Sequence, residues 1–325
     1  MVMKLSILHK ILLINVCLIG CICSQAKAQT KGELIPYGDM DNWLNREIKE
    51  SFVIGGNTKN VYEIAPRGTV KGDIPYRNMK GSPWATSNVM AKVAGITKTN
   101  TSVFPERRGE GFCARLDTRI ESVKVLGLVN ITVLAAGSIF TGSVNEPITE
   151  TKNPQKILQT GIPFTKKPKQ LVFDYKVRLS ESNKRIKLTG FGRKSEIEGK
   201  DYPAVTLVLE KRWEDSEGNV YSKTVGVLNS YFRSNTDWID DATFDIIYNK
   251  EEAEKSICKE RKETIEVVNY TVNKKGKSVP VKNMGWSEDG EQPTHLYLSF
   301  SSSHGGAYIG SPGNSFWIDN VRFIY

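Results

Sequence analysis

The chain is poor in the residues that build catalytic and metal centres. It has only 3 His among 325 residues, and its 5 Cys fall mostly near the N-terminus. Neither HExxH, GxSxG, a phosphate loop, nor GxGxxG after a strand occurs, so the common metalloprotease, α/β-hydrolase, nucleotide and dinucleotide signatures are missing. Long apolar runs are also scarce. The one candidate, Ile11–Cys23, is too short for a bilayer, which takes roughly 20 residues. Helix-period patterns are few, and no repeat or low-complexity linker stands out. Charged residues make up 25% of the chain and hydrophobic ones 39%, which excludes a disordered chain, a collagen and a coiled coil.

The N-terminus reads as an address. Lys4 and Lys10 precede the apolar run, and Ala26-Lys27-Ala28 has the small-x-small form of a cleavage site. Residues 1–28 are therefore expected to be a signal peptide. A second reading takes Leu18-Ile19-Gly20-Cys21 as a lipobox, with lipidated Cys21 attached to an outer membrane. Either way the mature protein is exported, to the periplasm, the outer-membrane surface or the exterior. The positive excess of the mature chain reads as solvated surface, and nucleic acid is not an expected partner. Only Cys113 and Cys258 follow the leader; an oxidising compartment permits them to pair, and two unpaired thiols is the other reading.

The body alternates with period two. Leu171, Phe173, Tyr175, Val177 and Leu179 share one face of a strand, with Asp174, Lys176 and Arg178 opposite. Val205, Leu207 and Leu209 form another, joined through the turn residues 215–219 to Tyr221–Val227 as a hairpin. Phe244–Tyr248, Leu296–Phe300 and Phe316–Tyr325 are further strands, and Val123–Leu134 reads as one central strand. Ser87–Ala94 is open to two helical turns and Lys250–Glu263 to a short exposed helix. Many short strands with Gly, Pro, Asn and Asp turns predict an all-β sandwich or barrel, a single domain over 29–325 with an insertion at about 251–291.

Candidate chemistry is sparse. Ser301-Ser302-Ser303-His304 reads as a polar run at a strand end rather than part of a triad. Asp240-Asp241 can act jointly only in a bend, because neighbours in a strand face opposite ways. On the last strand Trp317, Asp319, Val321, Phe323 and Tyr325 are expected on one face. Asp319 then needs an Arg, backbone N–H groups or a hard cation as partner. Chain ends often lie together, so Asp39 or Asp41 could join Asp319 around a structural Ca²⁺; turn carboxylates and a backbone-satisfied Asp319 are the plainer reading. Trp84 (with Asn88), Trp238 and Trp286 sit in Gly- or Asn-rich contexts. A loop indole beside hydrogen-bonding side chains suits sugar stacking; a Trp plugging the edge of the core is the alternative.

Several segments taken in order carry a family likeness. They are Ala135–Gly142, Gly161–Thr165, the strand Leu171–Tyr175, Leu209–Trp213, Ser299–His304 and Gly310–Val321. In this order the chain resembles the PCMD (putative carbohydrate metabolism domain) family of Bacteroidetes, from about Gly38 to Tyr325. The resemblance implies a jelly-roll β-sandwich similar to galactose-binding-like modules, and a role in carbohydrate binding or metabolism. Members are often labelled glycoside hydrolases, yet no catalytic residue carries over. Some members carry an immunoglobulin-like domain before the jelly roll; little precedes Tyr37, so none is expected here. Related jelly rolls use a final Asp-Asp-Val to help hold calcium, whereas this chain has Asp319-Asn320-Val321. The expectation is an exported, non-catalytic glycan-binding protein. A glycoside hydrolase with an unidentified Asp/Glu pair, or an adhesion subunit of a surface assembly, are the alternatives.

Overall fold

The computed structural model describes residues 32–325 except 79–80, 94, 126–128, 150–153, 191–192 and 259–268; for 123–125, 129–130, 154–155 and 256–258 it describes the backbone alone. The leader and Cys21 lie outside the described residues, as does the end of the 250–263 segment.

The chain is an all-β sandwich of jelly-roll type. An eight-stranded sheet has six strands in the order Thr189–Gly190, Val129–Ala136, Gly111–Val125, Ser315–Ile324, Gln170–Arg178, Thr236–Asp245, while Glu33–Leu34 pairs with Ser315–Ile324 and Val103–Arg108 with Gly111–Val125. A nine-stranded sheet has seven strands in the order Leu158–Thr160, Ser138–Val144, His295–Ser301, Ala204–Glu214, Val220–Tyr231, Ser278–Trp286, Tyr270–Val272, while Ile162–Pro163 pairs with His295–Ser301 and Trp84–Thr86 with Ser138–Val144. Alternation sorts the side chains as the sequence predicts. Leu171, Phe173 and Val177 from one sheet meet Val205, Leu207, Leu209, Leu296, Leu298 and Phe300 from the other. Phe173 lies edge-on to Phe300 at 4.9 Å and stacks on Phe244 at 4.9 Å, so aromatic packing ties the layers together.

Gly137 is where the chain passes from one sheet to the other. A Cβ there would meet Ser102 O at 2.4 Å and Asp117 N at 2.6 Å, so only glycine permits this crossing. The turn after Glu214 is set by Asp215, whose Oδ1 accepts from the N–H groups of Glu217 and Asn219. The hairpin 204–231 follows as expected.

Three expectations are corrected. Val123–Leu134 is the meeting of two antiparallel strands rather than one central strand. Ser87–Ala94 is no helix: Val89–Val93 is a strand paired with Ile96–Asn100, in keeping with its β-branched residues. The helix at Lys250 does form, capped by Asn249 Oδ1 accepting from Glu252 N–H. The last strand does not keep one face. Asn320 takes a left-handed φ of 53° and the register against Gln170–Arg178 shifts there, so Phe316 and Ile318 point inward, then Val321 and Phe323. Trp317 and Asp319 therefore lie on the outer face. Lastly, residues 270–286 extend the nine-stranded sheet, with Ser278–Trp286 parallel to Val220–Tyr231.

Candidate functional site

Trp84 is sealed in the core at 0% exposure. Its segment is a strand docked beside Thr141, not a loop, and its Nε1–H donates to Pro36 O at 3.0 Å. Asn88 is buried too, and its amide is fully used: Nδ2 donates to Tyr62 O and Val103 O, while Oδ1 accepts from the N–H groups of Ser102 and Val103. Neither can present itself to a sugar in this conformation.

Trp238 lies on the outer face of the eight-stranded sheet, half-buried, with the Arg108 guanidinium 3.9 Å from its ring centroid. Arg108 is the hub of that face. Its Nη1 donates to Asp174 Oδ2 and Asp319 Oδ2, each at 2.7 Å, and its Nη2 to Asp240 Oδ1 at 2.6 Å. Asp319 also accepts from Asn320 N–H. Its partner is thus an arginine with a backbone amide. Burial and the neighbouring Asp174 still push the Asp319 carboxyl up to about 6, against the pull of Arg108. Asp240 and Asp241 do sit in a bend, Asp241 having φ 55°; Asp241 pairs with Arg322.

The first described residues meet the last strand, with Ile35 N–H donating to Val321 O. Asp39 and Asp41 are nevertheless engaged elsewhere: Asp39 Oδ1 accepts from Asp41 N–H, and Asp41 Oδ1 from Phe112 N–H. Among the described residues no group of three or more His, Cys, Asp or Glu side chains is placed to hold a metal ion.

Ser303 and His304 meet Asp201, yet not as a triad. Ser303 Oγ donates to Asp201 Oδ1 at 2.8 Å rather than to the imidazole, and Asp201 also accepts from Ser311 N–H and Asn314 Nδ2. Asp201 is a structural clasp for the 303–314 loop. Cys113 carries a free, buried thiol, pushed up to about 12 by burial, while the Cys258 side chain falls outside the described residues.

The outer face of the nine-stranded sheet holds what the sequence did not single out. A groove of about 1400 Å³ runs over it, flanked by the Val89–Asn100 hairpin and by Tyr308. Strand register stacks its floor in rows. Ser138, Ser301, Ala204 and Tyr231 form one row; Phe140, Ser299, Thr206 and Asn229 the next. Tyr297, Val208 and Val227 follow, then Glu210, Thr224 and Trp286, a row that His295 continues beyond the groove lining. Trp286 is the one predicted indole that lines this groove. Trp238 lies on the other sheet, so the predicted indoles do not converge.

Burial tunes the groove. Glu210 is ion-paired with Arg212, both side chains being 4% exposed. Burial, then the Arg212 charge, pushes the His295 imidazole down to about 4, which keeps it neutral. Burial and Glu210 raise the Tyr297 phenol, so it too is neutral. The floor therefore offers hydroxyls, an amide and aromatic rings, with little net charge. A signal for these residues did exist. Outward positions of solvent-facing strands usually carry charge, as Asp174, Lys176 and Arg178 do; Thr206, Asn229, Tyr297 and Ser299 are polar without charge.

Residues 69–324 match the family model described as putative carbohydrate metabolism domain, PCMD. No curated protein matches. Among solved structures, the crystal structure of a putative glycoside hydrolase from Bacteroides thetaiotaomicron resembles this chain with 17% identity and a TM-score of 0.43, over 86% of this chain and 70% of that one.

Proposed function

This chain belongs to the putative carbohydrate metabolism domain family, and from that premise we propose that it is an exported, non-catalytic glycan-binding protein whose site is the groove on the nine-stranded sheet. One observation carries the reading: rows of uncharged hydroxyl and amide side chains, Ser299–Thr206–Asn229 above all, run across strands beside Phe140, Tyr297 and Trp286. Sugars present hydroxyls at their edges and C–H groups on their faces, so such a floor fits both. The groove is larger than the ~300–1,000 Å³ of sites for small ligands, which suits a chain of several rings. Binding is favoured over hydrolysis because Glu210, a carboxylate of the floor, is tied to Arg212, whereas hydrolysis needs one carboxylate ionised and free beside a protonated partner. Export rests on the leader.

The test is a glycan array on the protein lacking residues 1–28, followed by calorimetry on each hit. Wild type binds a polysaccharide weakly, and Trp286→Ala weakens it about tenfold, the scale of losing one aromatic stacking partner. A blank array for wild type refutes the reading. Release of reducing sugar that survives repurification puts a hydrolase in its place.

A further inference from the structure

The deep end of the groove holds polar atoms that the fold leaves unused. Ser222 is 1% exposed, yet its Oγ has no hydrogen-bond partner among the described residues. Asn269 Oδ1, also on the groove, has none either, nor does Arg212 Nη2, which lies behind the lining against Gly161. Buried polar groups are nearly always paired, because an unpaired one loses water and regains nothing. Three at one end of the sheet therefore point to a missing partner.

Strand pairing brings them to the same end of the sheet. Arg212 and Ser222 are opposite one another on adjacent strands and face the groove side; Ser222 is in turn opposite Asn283. Asn269 is held beside this strand by Val281 N–H donating to its carbonyl. Thr160 closes the circle: its carbonyl accepts from Arg212 Nη1 at 2.7 Å, and its hydroxyl donates to Tyr270 O. Trp286, opposite Thr224, stands one row away. Ser222, Asn269 and Trp286 all line the groove.

We propose that this end of the groove is a subsite for one neutral sugar ring, bound through two adjacent hydroxyls to Arg212, Ser222 and Asn269 with Trp286 alongside. The proposal rests on the glycan-binding reading above and adds the place and the ligand chemistry. The atoms decide the chemistry. Arg212 Nη2 can only donate, Asn269 Oδ1 can only accept, and Ser222 Oγ can do either. Neighbouring hydroxyls match this set, since one can accept from the guanidinium while the next donates to the amide oxygen. A uronate carboxylate would satisfy Arg212, but it would set an acceptor against Asn269 Oδ1 and a second negative charge beside Glu210. A neutral ring meets neither penalty.

Calorimetry on the protein lacking residues 1–28 tests this with cellohexaose, mannohexaose and xylohexaose as neutral probes and hexagalacturonate as the acidic one. Ser222→Ala deletes the unpaired hydroxyl, so its melting temperature stays equal to or above wild type. Its affinity for the neutral hexasaccharide that wild type binds falls by up to about tenfold, the upper scale of one neutral hydrogen bond. Asn269→Ala loses affinity likewise. If Ser222→Ala and Asn269→Ala bind as wild type while Asn229→Ala in mid-groove binds more weakly, the groove takes glycan elsewhere and the subsite is refuted. Tighter binding of hexagalacturonate than of every neutral probe overturns the neutral-ring assignment. If wild type binds no glycan at all on the array, the reading of the groove fails first, and the subsite falls with it.

Discussion

Glu63 makes stability depend on pH in an unusual direction. It is 3% exposed and shares the buried Arg46 with Glu146. Arg46 grips Glu146 with both terminal nitrogens, at 2.5 and 3.1 Å, and gives Glu63 a single bond of 2.9 Å. One guanidinium cannot neutralise two carboxylates. Burial therefore pushes Glu63 from its ordinary 4.5 up to about 8, against Arg46 and helped by the charge of Glu146. The unfolded chain releases this proton near pH 4.5, whereas the folded one holds it until about 8. The stabilisation is then complete below pH 4.5 and is lost as pH rises through 8. In that window the folded state carries one more proton, so stability falls by about 1.4 kcal/mol per pH unit from this group. Glu63→Gln imitates the protonated form and keeps an oxygen for Arg46. Urea unfolding should find the variant close to wild type at pH 4, more stable by about 1.4 kcal/mol at pH 5.5 and by about 4 kcal/mol at pH 7.5. Comparing the two proteins cancels every other titration. A difference that stays constant with pH, or that favours wild type at pH 7.5, refutes the reasoning.

Arg108→Met leaves Asp174 and Asp319 buried together without a counter-charge; it should cost about 3–5 kcal/mol at pH 7 by urea unfolding, and less at pH 5, where Asp319 takes up a proton. Trp84→Ala opens a large hole in the core and should cost about 3–5 kcal/mol, while Trp84→Phe leaves glycan affinity at the wild-type value by calorimetry. His295 is held down at about 4, so the unfolded chain binds its proton first. Wild type should lose stability as pH falls from 6.5 to 4, and His295→Gln should lessen that loss in pH-dependent melting.

Much of the fold is written locally. Alternation over Leu171–Val177 and Val205–Leu209, and the Asp215 turn between two strands, need only neighbouring residues to be read, because side chains two apart share a face. The buried Asp319 also announced itself, as a charge in an apolar strand that needed a partner, and Arg108 meets that need. Parity was the weak point. A single left-handed residue, Asn320, reverses which side chains of the last strand face inward. Period-two reading has no means of locating such a bulge, because its cause is the register with the partner strand.

The indoles show the same limit. Local composition placed Trp84, Trp238 and Trp286 in loops alike, whereas long-range pairing sent them to the core, to the outer face of one sheet and to the groove on the other. The groove itself is built from rows such as Phe140, Ser299, Thr206 and Asn229, which come from four strands far apart in the chain. By itself the sequence determined an all-β body with an apolar interior, since that depends on spacing along single strands. Which polar residues stand side by side, and which buried atoms are left without partners, was decided only when the strands paired. Those properties belong to contacts between distant segments and have no trace in any one of them.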